Sequence, residues 1–280
     1  MKKVMFTAAA ALCATVGLAI ESANTVGYTQ TGITKDGRLT VSGVPFVQTT
    51  GGNINITEIK PTVDGAVPGD GAFVLTWYDR TTGGYKRAGW CEGTYPTAQD
   101  ADDDTNWSDV AAWGDGDYVA ITDKSFVAGE WALVQPNLDG ESAITAAGAL
   151  ATTDKTAAAN AVTIVKDGRL TAAGNPLPVT TAIQEITATV DGVVAGDGAF
   201  VLTWYDRTTG GYKRAGWCEG TYPTAQDADD DTNWSDVAAW GDGDYVKITK
   251  GFAIGEGFLV QPNLDGTSRL LFPNPFYEAE

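Results

Sequence analysis

The chain has 280 residues, of which 36 are acidic and 18 basic, so its formal net charge is −18 at pH 7. This charge excludes nucleic acid and anionic membrane surfaces as partners, because both require a positive protein surface. The chain also has no histidine, which removes Ser–His and Cys–His nucleophile activation. Because it has neither a Walker loop nor a GxGxxG motif, the sequence predicts that the protein is not an enzyme.

The first nineteen residues have the pattern of a signal peptide. Lys2 and Lys3 precede an apolar stretch over residues 4–20, and Gly17 and Ala19 are the small residues expected before a cleavage site. The stretch is short for a transmembrane helix, which needs about 20 apolar residues, although a retained membrane anchor is an open alternative. We predict cleavage after Ala19 and a secreted protein, located outside the cell or on its surface.

An internal duplication dominates the remaining sequence. Residues 69–119 recur letter for letter as residues 196–246. The similarity continues on both sides, in residues 35–40 and 166–171 and in residues 133–140 and 259–266. Each unit of about 110 residues has the size of one domain. We predict one domain over residues 20–140 and a second over residues 161–280 with a C-terminal tail at 269–280, joined by a small, polar linker over residues 141–160.

Each unit has the pattern of a β-protein. Residues 73–79, FVLTWYD, alternate in a way that places Phe73, Leu75 and Trp77 on one face of a strand. A Gly-bearing turn and a returning strand over residues 85–91 complete a hairpin, and one short helix is predicted over residues 108–113. We predict an all-β fold, with two tandem copies of a small antiparallel β-sandwich or open-barrel domain.

A run of acidic residues in each unit is a candidate calcium site. The proposed ligands alternate along one loop and recur in its copy: Asp100, Asp102 and Asp104, then Asp227, Asp229 and Asp231. Ca²⁺ prefers six to eight oxygen ligands, which such a loop can supply. The alternative is a solvated acidic loop, since the pattern lacks the Gly and Glu of an EF-hand. We expect no cofactor to be required other than this possible Ca²⁺.

The two cysteines of the predicted mature chain, Cys91 and Cys218, occupy equivalent positions in the two units. Neither has a partner cysteine in its own unit, so a disulfide would join the two units or two chains. The alternative is a pair of buried thiols that behave as small apolar side chains.

Two surface features are also candidates for sugar chemistry. Trp90 and Trp217 follow Lys and Ala on one strand face, so we expect them to be half exposed and able to stack on glycans, although a core role is the alternative. Trp77 is expected in the core. The segment DTNWS contains Asn106 in the first unit and Asn233 in the second, each within an N-glycosylation acceptor pattern.

The start of the predicted mature chain resembles a group of secreted tandem β-proteins from the Verrucomicrobia and Kiritimatiella branch of bacteria. The matching motifs are N-x-V-G-Y at residues 24–28, V-P-F at 44–46, W-Y-D…G-Y at 77–85 and G-E-W at 129–131. The second unit matches more loosely and lacks the N-x-V-G-Y start. The resemblance implies export and a β fold and assigns no activity.

Duplication, export and acidity together favour a structural protein that self-associates into an extracellular fibre, sheath or surface assembly. A strand over residues 26–33, including Val26, Tyr28, Gln30 and Ile33, is the candidate joining segment, because it can add to a sheet edge of the next subunit. The alternative is a strand that closes its own domain. A bivalent carbohydrate-binding or adhesive surface protein is the second functional hypothesis.

Overall fold

A computed structural model describes residues 26–43, 45–46, 48, 52–92, 107–115, 118–150, 160–218, 233–240 and 245–275. Over these residues the chain forms β-strands and short 3₁₀ turns and no α-helix. None of its described helical segments is long and apolar enough to cross a membrane. The predicted all-β class is therefore confirmed, as several antiparallel sheets that do not close into a barrel.

We call the described residues up to 150 repeat 1. Its strands are β1 Val26–Ile33, β2 Thr40–Ser42, β3 Ile54–Asn55, β4 Lys60–Val63, β5 Phe73–Asp79, β6 Gly84–Trp90, β7 Trp107–Asp109, β8 Ser125–Phe126, β9 Ala132–Pro136 and β10 Ser142–Ala149. They form a five-stranded sheet in the order β2-β9-β5-β6-β7, a three-stranded sheet in the order β1-β10-β4 and the pair β3-β8. All these pairs are antiparallel.

Repeat 2, residues 160–275, follows the same plan. Its strands are β11 Ala161–Ile164, β12 Thr171–Gly174, β13 Thr181–Ala182, β14 Thr187–Val190, β15 Val193–Val194, β16 Phe200–Asp206, β17 Gly211–Trp217, β18 Trp234–Asp236, β19 Gly251–Phe252, β20 Gly257–Pro262 and β21 Ser268–Leu271. The five-stranded sheet is β12-β20-β16-β17-β18, the smaller sheet β11-β21-β14-β15, and the remaining pair β13-β19.

The hairpin between β5 and β6 is built by its own turn chemistry. The backbone N–H of Thr81 donates to Asp79 Oδ1 at 2.9 Å, and Thr82 Oγ1 donates to Asp79 Oδ2 at 2.7 Å. Gly83 takes a positive φ of 73°, which glycine adopts without a steric penalty. These hydrogen bonds lower the pKa of Asp79 and confirm the turn that the sequence predicts.

A pair of tryptophans fills the core of each repeat. In repeat 1, Trp90 and Trp107 pack edge to face with ring centroids 5.3 Å apart. Their indole N–H groups donate to the carbonyls of Pro68 and Ile59, each at 2.9 Å. Buried indoles need such partners, so the pair combines a large apolar area with satisfied polar groups. Trp217 and Trp234 repeat the arrangement in repeat 2, at 5.2 Å.

The predicted linker over residues 141–160 is wrong in its first half, because residues 142–149 form β10. This strand pairs with β1 over eight positions and with β4 over four. Thr145 Oγ1 also donates to the carbonyl of Lys60 at 2.8 Å. The segment consists mostly of small residues and so resembles a linker in composition, but its stability comes from pairing with strands that are distant in sequence.

The predicted helix over residues 108–113 is also wrong. Residues 107–109 form β7, which pairs with β6, and only the 3₁₀ turn Ala112–Asp115 follows. Ser108 is fully buried within this strand, and its hydroxyl accepts from the indole of Trp113 at 2.6 Å. Pairing with a neighbouring strand therefore overrides a weak local helix pattern.

Candidate functional site

The two repeats meet through ion pairs that are reciprocal. Arg80 Nε of repeat 1 lies 3.2 Å from Asp167 Oδ2 of repeat 2, and Arg207 Nε of repeat 2 lies 3.1 Å from Asp36 Oδ2 of repeat 1. In the duplicated sequence, each residue of the first pair corresponds to one of the second. The same contact is therefore made twice with the repeats exchanged, as in an isologous interface with two-fold symmetry.

Stacking contacts obey the same symmetry. The guanidinium of Arg169 lies 4.3 Å from the ring centroid of Tyr78, and that of Arg38 lies 4.2 Å from the ring centroid of Tyr205. Cation–π contacts of this kind contribute about 0.5–1 kcal/mol at exposed positions. The two arginines lie in the recurring KDGRLT segment, so the sequence duplication itself carries both halves of the interface.

Hydroxyl groups complete the pattern. Arg80 Nη2 donates to Thr171 Oγ1 at 2.9 Å, and Arg207 Nη2 donates to Thr40 Oγ1 at 2.8 Å. Each arginine thus binds a carboxylate and a hydroxyl of the other repeat. An arginine held by two partners has less freedom than one in an isolated surface pair, which favours a fixed geometry between the repeats.

Trp131 breaks the symmetry at the centre of this interface. It is buried, and its backbone N–H donates to the carbonyl of Ala172 in repeat 2 at 3.3 Å. Its ring packs on three glycines from both repeats, so tightly that a methyl group on Gly43, Gly174 or Gly257 would lie 2.6–2.7 Å from it. In sequence, Gly257 is the residue equivalent to Trp131. One tryptophan therefore occupies a space that the two repeats share.

Two equivalent clefts flank the interface. One has a volume of about 150 Å³ and the other of about 120 Å³, and each is lined by both repeats. The first contains Tyr78 and Tyr85, the second Tyr205 and Tyr212. In each cleft the two rings meet edge to face at 5.2 Å. Tyr85 is 56% exposed and Tyr212 59%, so one ring of each pair is open to a ligand.

A larger groove of about 1140 Å³ runs between the outer face of repeat 1 and β11 of repeat 2. Its lining mixes polar and apolar side chains and carries both signs of charge, including Asp79, Lys86 and Asp123. Lys124 Nζ in this groove pairs with Glu130 Oε1 at 2.7 Å and lies 5.8 Å from the ring centroid of Trp77. The groove is therefore mixed in charge, and part of that charge is already paired within the chain.

β1 lies at the edge of its sheet. It pairs with β10 over all eight residues, from Val26 opposite Ala149 to Ile33 opposite Ser142. Gln30 and Tyr28, the latter 66% exposed, face solvent, whereas Ile33 is buried. One side of β1 thus closes its own sheet, as in the alternative, while addition of the strand to a sheet edge of a second copy stays a prediction. The other side of β1 pairs with none of the strands that the structure describes.

The predicted glycan platforms Trp90 and Trp217 are wrong, since each is only 2% exposed. The register explains the error. Lys86 lies opposite the buried Trp77 on the neighbouring strand. Lys86 and Trp90 therefore share the face of the sheet that covers the core, and Lys86 lies at the border of that core. Trp77 is buried as predicted.

No disulfide joins Cys91 to Cys218 within the chain, since both are free and buried. Cys91 Sγ lies 3.0 Å from Ser108 Oγ, and Cys218 Sγ lies 3.0 Å from Ser235 Oγ. Each thiol is therefore buried beside a serine of its own repeat. This geometry agrees with the alternative of two buried thiols.

Burial raises the pKa of both thiols. The folded chain then holds two protons that the unfolded chain loses above about pH 8.5, so the free energy of unfolding should fall as the pH rises beyond that value. We expect thermal melts between pH 7 and pH 10 to show this alkaline loss, and the Cys91→Ala/Cys218→Ala variant to show less of it. An equal loss in both proteins would contradict the prediction.

The remaining predicted sites divide between described and undescribed residues. Asn233 is half-buried and its Nδ2 donates to the carbonyl of Gln184 at 3.0 Å, while glycosylation at this position stays a prediction. Asn106 and the six proposed calcium ligands lie outside the described residues: Asp100, Asp102, Asp104, Asp227, Asp229 and Asp231.

Several residues of the interface were not among the predicted site residues. Arg80, Asp167 and their counterparts lie in segments that recur in both repeats. The only sequence signal for them was that the same charged residues occur at equivalent positions of the two repeats. Trp131 was marked by a difference, since GEWALVQPNLDG becomes GEGFLVQPNLDG in repeat 2. In comparisons with known proteins, no family model, curated protein or solved structure matches the chain.

Proposed function

We propose that the protein is a secreted structural protein, a subunit of an extracellular fibre, sheath or surface assembly. Its copies associate with one another through the edge of β1 that pairs with none of the described strands. The observation that carries this proposal is the character of that edge: eight residues, VGYTQTGI, without a charge or a proline. A long, uncharged outer strand is a template for pairing with another chain, unless the protein protects it.

The other edges of the small sheets carry such protection. β4, the opposite edge of the same sheet, contains Lys60 and Pro61. In repeat 2 the edge strands are short, with four residues in β11 and two in β15. Charges, prolines and short strands are the usual means of preventing edge-to-edge pairing, and β1 has none of them.

Repeat 2 also stops the strand that corresponds to β10. β21 ends at Leu271, and the sequence continues as Phe272-Pro273-Asn274-Pro275. Proline cannot donate to a ladder of hydrogen bonds, so this end of repeat 2 does not extend as β10 does in repeat 1. The two repeats thus share one fold but differ at the edges of their small sheets. This difference suits a subunit that joins the next molecule through the edge of repeat 1 alone.

The charge distribution favours the same edge. The chain carries a net charge of −18, which makes most approaches between copies repulsive. β1 and its partner β10 contain no charged residue, so two copies meet there without placing like charges opposite each other. Main-chain hydrogen bonds then supply the attraction.

The test is to place charges on the exposed face of β1. We expect the purified protein to form concentration-dependent oligomers in analytical ultracentrifugation and filaments in electron microscopy. The Tyr28→Lys/Gln30→Lys variant should stay monomeric, because lysine on an edge strand prevents pairing. Thr163→Lys on β11, an exposed position in the equivalent strand, is the matched control and should assemble as the parent protein does.

Two results would overturn the proposal. One is a protein that remains monomeric at high concentration both with and without Ca²⁺. The other is equal assembly of the β1 variant and the parent protein, which would place the contact elsewhere.

The two clefts support a second candidate, a bivalent carbohydrate-binding protein. Exposed Tyr85 and Tyr212 occur at equivalent positions, each beside a second tyrosine. Such rings provide a flat apolar surface with a polar tip. Titration calorimetry with glycans found on an array should then give two sites per chain, and one site after Tyr85→Ala. Absence of binding across the array would remove this candidate.

A further inference from the structure

We infer that the contact between the repeats is a pairing interface that selects unlike repeats, and that a second copy of the chain can supply the partner repeat. Repeat 1 of one molecule would then pair with repeat 2 of another through the contacts that now lie within one chain. This inference goes beyond association through β1 and rests on different residues.

The reciprocity of the interface is the first step of the argument. Arg80 binds Asp167 as Arg207 binds Asp36, and Arg169 stacks on Tyr78 as Arg38 stacks on Tyr205. Each repeat therefore presents both the donating and the receiving half of one face. A face that complements its own copy is what closes homodimers, and in this chain the two copies are covalently joined.

The backbone contacts follow the same rule. Ser42 of β2 forms a bridge with Glu256, and Glu130 forms one with Ala173 of β12. Ser42 and Ala173 are equivalent positions, as are Glu130 and Glu256. The self-complementary face thus includes main-chain pairing, which depends on the shape of each repeat and not on the covalent connection between them.

Trp131 supplies the selection. Its ring is packed against Gly43 of its own repeat and against Gly174 and Gly257 of the other, and it fills the shared space. If repeat 1 paired with another repeat 1, two copies of Trp131 would enter that space. If repeat 2 paired with another repeat 2, only two copies of Gly257 would lie there. The first pairing overpacks the interface and the second leaves a cavity, and both arrangements are destabilising.

Exchange between molecules follows from these two properties. The described repeats are joined in sequence only by residues 151–159. The contact of repeat 1 with repeat 2 can therefore form within a chain or between chains. Pairing of unlike repeats between molecules is directional, since repeat 2 of one copy meets repeat 1 of the next. It yields closed exchanged dimers or head-to-tail chains.

The test changes the tryptophan in both repeats. All variants carry Tyr28→Lys/Gln30→Lys, so that association through β1 does not contribute. Trp131→Gly leaves glycine in both repeats, and Gly257→Trp places tryptophan in both. Each should melt about 10 °C below the parent, and the combined Trp131→Gly/Gly257→Trp variant should regain at least half of that loss.

Mixing tests exchange directly. The Trp131→Gly and Gly257→Trp chains, refolded together, should form a 1:1 complex of twice the monomer mass in ultracentrifugation, because each glycine repeat then meets a tryptophan repeat. Neither chain refolded alone should do so to the same extent. Should the single variants fail to fold alone, the combined variant still tests the selection by its melting temperature.

Two outcomes would overturn the inference. A combined variant no more stable than the worse single variant would show that the tryptophan does not occupy a shared, exchangeable position. Failure of the mixed chains to form a 1:1 complex after refolding would show that a second copy cannot supply the partner repeat. Neither result bears on association through β1, which the shared lysine substitutions remove from every sample.

Discussion

Replacing Trp107 by alanine is expected to lower the free energy of unfolding by about 3–5 kcal/mol. The ring is fully buried, packs against Trp90, and donates through Nε1 to the carbonyl of Ile59. Alanine would leave a cavity and an unpaired buried carbonyl, and both effects act in the same direction. Urea denaturation followed by tryptophan fluorescence or circular dichroism measures the change.

Trp234 offers a matched comparison. It is also fully buried, and its indole N–H donates to the carbonyl of Ile186 at 2.7 Å. Residues 69–119 and 196–246 are identical. Trp234→Ala should therefore lower the free energy of unfolding by the same amount as Trp107→Ala, within about 0.5 kcal/mol. Tyr85→Ala, at an exposed position, is the control and should change stability by less than about 0.5 kcal/mol. A small effect at Trp107 would mean that the core relaxes around the cavity.

Replacing Gly89 by alanine should destabilise the protein by about 1–3 kcal/mol, although it adds only one methyl group. The indole of Trp113 lies over this glycine, so the new carbon would lie 2.1 Å from Trp113 Cη2. The ring cannot move freely, since its N–H is bound to the buried Ser108 hydroxyl at 2.6 Å. We expect a lower melting temperature and an altered near-ultraviolet circular dichroism spectrum.

Gly84 is the matched control for this substitution. It lies in the same strand, β6, and a methyl group there would meet no atom within 4 Å. Gly84→Ala should therefore be neutral, or slightly stabilising because it restricts the unfolded chain. Equal destabilisation at both glycines would mean that strand propensity, and not the contact with Trp113, determines the result.

Local patterns predicted those parts of the fold that local interactions stabilise. The alternation in residues 73–79 identified the core face of β5, and the Arg-Thr-Thr-Gly-Gly sequence that follows identified its turn. Both depend on residues within a few positions of one another, such as Asp79 with Thr81 and Thr82. The duplication likewise followed from the sequence alone.

Errors arose where an element depends on distant partners. The small residues of β10 gave no strand signal, since its pairing with β1 joins residues more than 100 positions apart. Trp90 was expected to be half exposed because Lys86 shares its face, but the cross-strand position of Trp77 shows that this face points to the core. The short helix expected after residue 107 gave way to pairing between β7 and β6.

The sequence by itself determined an all-β chain of two near-identical units. Alternation and turn residues are local patterns, and repetition is found by comparing the sequence with itself. Only the tertiary structure decided how those units meet. The contacts of Arg80 with Asp167, of Arg207 with Asp36, and of Trp131 with Gly174 and Gly257 join segments far apart in the chain. Such contacts depend on packing geometry, which no local pattern encodes.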